Sequence, residues 1–180
     1  MGTRRDYNYN NNYFTKMTVN EVGTVNPTPS EPVTLDQAKN WLRLDNNTDD
    51  DARISSLITT ARRRAERYIN KDIIAKNREV FWTVIDEDVN LPYTVDTIST
   101  ITVDGETTTD YELLGSGNAI LRLYQLPADK VDVAYATTDY INSEIQNGIL
   151  MLVEEMYYNI KTQWKLVLSP FRVFAHYGVK

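Results

Sequence analysis

Arg62, Arg63, Arg64 and Arg67 form the densest concentration of charge chemistry in this chain. A guanidinium presents a rigid fork of N–H donors that fits phosphate or carboxylate oxygens. The group therefore suits three tasks: contacting DNA, pairing with acidic residues of a neighbouring subunit, or solvating one face of a helix. No other polar grouping completes a reactive site. Asp49, Asp50 and Asp51 fall where a helix would begin, and consecutive side chains there diverge. A calcium loop instead alternates its oxygen ligands and closes on a glutamate, so the three aspartates read as helix caps. Glu154 and Glu155 diverge by about 100° on a helix and have no partner motif for acid–base work. His176 is the only histidine, which rules out a multi-histidine metal site and leaves a serine triad without context. Gly115-Ser116-Gly117 lacks the lysine of a phosphate loop and reads as a hairpin turn. The sequence predicts no catalytic, cofactor-binding or metal-binding residues.

The arginines sit in a pair of helices spanning residues 33–77. Thr34 and Gln37 have the spacing of a capping box, in which each side chain satisfies a backbone N–H of the other residue. Leu35, Ala38, Trp41 and Leu42 then share one face. After the acidic turn, Ile54, Leu57, Ile58, Ala61, Ala65, Tyr68 and Ile69 recur at helical spacing, with the Asp49–Asp51 run at the positive end of the helix dipole.

From residue 78 the period becomes alternating. Val80, Trp82 and Val84 interleave with Phe81, Thr83 and Ile85, and Val131, Val133 and Tyr135 interleave with Asp132 and Ala134. About five short strands are predicted within 78–140, forming a small antiparallel sheet or sandwich. A last helix occupies 141–168, with Ser143 and Gln146 spaced as a second capping box and an apolar face broad enough for burial on more than one side. Ser169-Pro170 ends it. The remaining tail, 169–180, carries Phe171, Arg172, Val173, Phe174 and Tyr177.

At the other end, residues 1–32 hold the tract DYNYNNNYF and the proline-rich NPTPSEP, which predict an extended arm without helix or core strand. Tyr7, Tyr9, Tyr13 and Phe14 make that arm a candidate for docking on a neighbour, since aromatic rings are poorly suited to permanent solvation. The expected fold is α+β: a three-helix core with a small antiparallel β-insertion between helices two and three, an extended N-terminal arm and a C-terminal tail.

Composition sets outer bounds. The chain has 180 residues, no cysteine and a formal net charge of −6. Disulfides and thiolate chemistry are thus excluded. No apolar run approaches the roughly 18–20 residues of a membrane span, and Met1 to Asn20 lacks the apolar core of a signal peptide, so a soluble, intracellularly made protein is expected. The charge is uneven: residues 33–77 carry nine positive and seven negative groups, whereas 78–140 carry three and twelve. An acidic β-region repels phosphates and argues against coating nucleic acid.

The order T-L-x-x-A-K-x-W-L-R, a polar acidic turn, then D-D-x-x-I-x-x-L-I-x-x-A-R-x-x-A-E-x-Y resembles the head-to-tail connector proteins of tailed bacteriophages, also called adaptor or head-completion proteins. The resemblance spans roughly 33–165 and is most specific over the helix pair. It implies a non-enzymatic virion protein at the head–tail interface, assembled in the bacterial cytoplasm. Twelve copies would form a ring beneath the portal, extending the DNA channel and presenting a surface to tail or stopper proteins. DNA would pass through without sequence-specific binding, and no membrane would be involved. On that reading Arg62, Arg63, Arg64 and Arg67 are intersubunit or channel residues, and the tail from Ser169 docks on the portal. The alternative is a nucleic-acid-binding regulator that uses the arginine-rich second helix for recognition.

Overall fold

The computed structural model describes residues 16–24, 30–44, 47–85, 88–117 and 120–172. Its first element corrects the expectation for the arm: Lys16–Thr24 is a strand, β1. The asparagine- and proline-rich flanks hide a short β-branched stretch containing Thr18, Val19 and Val22, residues that suit a pleated surface once a partner strand supplies the ladder. Tyr7, Tyr9, Tyr13 and Phe14 lie outside the described residues.

Helix α1, Leu35–Leu42, begins with the predicted capping box: Gln37 N–H donates to Thr34 Oγ1 at 3.2 Å, and Thr34 N–H donates to Gln37 Oε1 at 2.8 Å. Arg43 ends it in the left-handed region, at φ 60°. Helix α2 spans Asp51–Ile69 and buries Ile54, Ile58, Ala61, Ala65 and Ile69. Its capping differs from the sequence reading, because Asp50 is the N-cap and makes no capping bond through its side chain. The aspartates serve tertiary contacts instead. Asp50 accepts from the Tyr157 hydroxyl at 2.7 Å, and Asp51 pairs with buried Lys39 of α1 at 2.8 Å. That hydrogen bond to Asp50 is the main cause raising the Tyr157 phenol above its ordinary pKa.

Seven strands follow: β2 Lys76–Ile85, β3 Val89–Asn90, β4 Val95–Val103, β5 Glu106–Thr107, β6 Tyr111–Leu114, β7 Ile120–Leu123 and β8 Ala128–Thr137. Two of these are only two residues long, too short for any hydrophobic period to announce them. All pairings are antiparallel, in one sheet ordered β1-β2-β8-β4-β5 and a second ordered β3-β7-β6. The inward residues Val80, Trp82, Ile101, Val131, Val133 and Tyr135 meet Leu121 and Leu123 of the smaller sheet in one apolar core. The alternation read from the sequence is thus the two-sided pattern of a small sandwich.

The C-terminal helical region is two helices, not one, so the described residues hold four helices instead of three. Helix α3, Ser143–Tyr158, ends at Asn159, which takes the left-handed conformation at φ 55°. Asparagine tolerates that conformation, and the apolar Ile160 just beyond it mimics a continuing helical face. Asn142, not Ser143, caps the helix through its side chain to Ile145 N–H at 2.8 Å, while the Gln146 amide donates to the Pro32 carbonyl at 2.7 Å. Helix α4, Trp164–Leu168, folds back on α3 and runs into a 3₁₀ turn at Ser169–Phe171. Leu168 packs directly over Gly148, where a side chain would place its Cβ 2.5 Å from Leu168 Cδ2. All four helices share a second apolar core, centred on Ile54, Ile58, Ile69, Ile145, Ile149 and Leu152.

Candidate assembly surface

The sequence treats the four arginines as one group, and helix geometry divides them. Arg62 faces the β-region and is 5% exposed. Its Nε donates to Glu31 at 2.7 Å and its Nη1 to Glu66 at 3.0 Å. It is therefore spent within its own subunit, a correction to its candidacy for an intersubunit or channel contact. Arg64 is half-exposed. It pairs with Glu155 of α3 at 3.1 Å and stacks 5.1 Å from the Trp164 ring, pinning α2 to the C-terminal helices. Only Arg63 and Arg67 are fully outward, on the side of α2 opposite its buried residues, beside exposed Ser56 and Thr60. Neither pairs with a described residue. With half the group turned inward, the recognition helix of a DNA-binding regulator loses its basis.

Arg62 opens a buried charge network at the joint between the helices and the sheet. Glu66 also accepts from Lys76 Nζ at 2.8 Å and from Ile73 N–H at 3.1 Å. Lys76 reaches Asp72 at 3.4 Å, and Arg78 Nε donates to Asp72 at 3.1 Å. Thr137 of β8 donates to Asp72 at 2.9 Å. Glu21 of β1 completes the network at 3.2 Å from Lys76, tying the N-terminal strand to the joint. Burial by itself would lower the pKa of Lys76, but its hydrogen bond with Glu66 and the charges of Glu66 and Asp72 outweigh that, and the net shift is upward. Arg62 and Arg78 are shifted upward as well, their burial outweighed by the bonds to Glu31 and Asp72 respectively. The sequence signal for this network was the i,i+4 spacing of Arg62 with Glu66 and of Asp72 with Lys76; Glu21 and Glu31 carried none.

The tail begins inside the domain. Phe171 packs edge-on against Tyr140 with ring centroids 6.2 Å apart, and the Arg172 guanidinium lies 5.4 Å from the Tyr68 ring. These contacts move Phe171 out of the proposed portal-docking set, because a ring that close to Tyr140 is already partly buried. Val173, Phe174 and Tyr177, with His176, lie outside the described residues.

The structure also shows an aromatic patch that periodicity concealed. Trp41, expected on the buried face of α1, is 41% exposed, and Tyr158 at the end of α3 is 48% exposed. Both are held in place: Trp41 Nε1 donates to Glu154 at 3.0 Å, and the Tyr158 hydroxyl donates to the Leu42 carbonyl at 2.9 Å. A shallow groove of about 400 Å³ runs over the outer face of the larger sheet, lined by Glu79, Phe81, Thr100, Thr102, Asp132 and Ala134 among others. Among the described residues no cluster of histidine, cysteine and carboxylate side chains fits a metal ion, and no helix is long and apolar enough to cross a membrane.

Fold and surface define an α+β subunit in which a helical bundle is joined to a β-sandwich through buried charges. Residues 32–111, somewhat under half of the chain, match the family of phage gp6-like head-tail connector proteins. The resemblance drawn from the helix pair is therefore upheld. Solved structures that share the fold include three from gene transfer agent particles. One is a chain in the neck of an empty gene transfer agent (GTA) particle computed with C6 symmetry, at TM-score 0.68 and 16% identity, covering 89% of this chain and 100% of that one. Another is a chain of the virion of a native GTA particle, at TM-score 0.63 and 15% identity, covering 89% and 98%. The third is from the neck of a native GTA particle computed with C12 symmetry, at TM-score 0.59 and 14% identity, covering 89% and 100%. No curated protein matches the sequence.

Proposed function

We propose that this protein is a structural virion component, a head-to-tail connector subunit that forms a ring beneath the portal, extends the DNA channel and provides the surface on which the tail attaches. One observation carries the reading: the connector family match falls on the helix pair whose sequence order first suggested it, within a fold shared along 89% of the chain with a subunit of a particle neck. The work of such a protein is mechanical, and the described residues are consistent with that, since their buried charges are committed to one another. The ring has twelve copies, the count that matches the C12 symmetry of one neck. Its neighbours are the portal on one side and tail or stopper proteins on the other, with DNA passing through unread.

The subunit carries a net charge of −6, and like-charge repulsion opposes ring closure in dilute solution. A portal template raises the local concentration of subunits and offsets that repulsion. The free protein is therefore expected to be monomeric and to close into a twelve-fold ring on the portal. Light scattering of the free protein and electron microscopy of the portal mixture check this. A stable dimer indifferent to portal would overturn the reading.

A further inference from the structure

We propose that the outward face of α2 docks on the seam between α1 and α3 of a second copy, with Arg63 and Arg67 of one subunit meeting Trp41, Glu154 and Tyr158 of the next. The inference rests on the ring reading and names the two surfaces that close the ring. Arg63 and Arg67 stand one turn apart, about 5–6 Å between their Cβ atoms, and no carboxylate shares their side of the helix. The α2 carboxylates are elsewhere: Asp51 pairs with Lys39, and Glu66 is buried in the network. Two guanidinium groups without a partner among the described residues thus face outward together.

The seam supplies what such a pair needs. Trp41 and Tyr158 are large rings left exposed on a helical surface, and the Glu154 carboxylate is bonded to the Trp41 indole. Tryptophan, tyrosine and arginine are the residue types that dominate protein interfaces. Both rings are fixed by hydrogen bonds before any partner arrives, so covering them costs little further ordering. A guanidinium over the Trp41 ring would gain a cation–π contact while pairing with Glu154. The outer face of the larger sheet is a poorer acceptor, because Asp132 is already matched by Lys130 at 3.1 Å.

The geometry suits a ring. The outward face of α2 lies opposite the residues through which α2 contacts α1 and α3, so donor and acceptor patches are on different sides of the bundle. Contact between two unlike patches is heterologous and propagates from copy to copy until a rotation closes it. An isologous dimer would instead bring like charges together.

The absence of cysteine makes the test clean. Arg67→Cys and Glu154→Cys are prepared separately, co-expressed with the portal protein of the same particle, and oxidised. A disulfide is expected when the two variants are mixed and not within either alone, and the double variant should give a ladder ending in a closed ring. Arg63→Glu with Arg67→Glu should lower ring yield by about tenfold or more without changing the melting temperature. Rings visible by electron microscopy but lacking the Arg67–Glu154 cross-link would overturn this docking while leaving the ring reading intact. Failure of the unmodified protein to form rings on portal would overturn both.

Discussion

Burial, and not charge type, determines what each arginine of α2 contributes. Arg62→Ser leaves Glu31 without its ion-pair partner and Glu66 with Lys76 alone, and breaking such a buried pair costs about 3–5 kcal/mol. Arg63→Ser with Arg67→Ser removes only exposed charges and stays within about 0.5 kcal/mol of the parent. Urea unfolding monitored by far-ultraviolet circular dichroism distinguishes the two outcomes through their midpoints. Lys76 gives a pH signature. Its pKa is raised in the folded state from an ordinary value of 10.5, so its stabilising contribution is complete below pH 10.5 and declines as the pH rises through the higher folded value. The stability difference between the parent and Lys76→Met should accordingly hold steady from neutral pH to about pH 10 and shrink above it. A difference that grows with alkaline pH would contradict the network as described.

At the level of elements, the short helix α4 depends on a glycine. A methyl group at position 148 would sit 2.7 Å from Leu168 Cγ, deep in the core where neither helix can yield easily. Gly148→Ala is expected to cost about 1–3 kcal/mol through overpacking, although alanine is the better helix former. Adding Leu168→Ala should recover part of that loss, so the double variant is less destabilised than the sum of the single ones, as a double-mutant cycle would measure. Phe171 belongs to the same unit. Losing its edge-on contact with Tyr140 should cost about 0.5–1.5 kcal/mol for the ring pair itself, so truncation after Leu168 weakens the subunit measurably.

For the whole molecule, charge is segregated: α2 shows its free arginines outward while the β-region carries most of the acidic residues. Association through exposed ion pairs is screened by salt, and at 1 M the screening length falls to about 3 Å. Ring formation on portal should therefore weaken as sodium chloride is raised toward 1 M, with the melting temperature of the free subunit little changed. Analytical ultracentrifugation of portal mixtures across a salt series checks this. Assembly unaffected or strengthened by salt would point to an apolar interface instead.

The sequence by itself determined the helix pair, its first cap and the alternation of β2 and β8, because these rest on interactions between residues a few positions apart. It also carried the resemblance to head-tail connector proteins, through the order of residues along those two helices. Tertiary structure decided the rest. Arg62 and Arg63 are neighbours in the chain, yet one is buried and the other exposed, since a 100° turn sends them to different surroundings. Trp41 has the spacing of a core residue and lies at the surface, where its indole N–H bonds to Glu154 of α3, more than a hundred residues away. The break at Asn159 and the return of α4 depend on Gly148 admitting Leu168, a contact across twenty residues that no local period records. Strand β1 becomes a strand only because β2 presents an open edge sixty residues away. In each case the local sequence permits more than one state, and the partner that selects between them is distant along the chain.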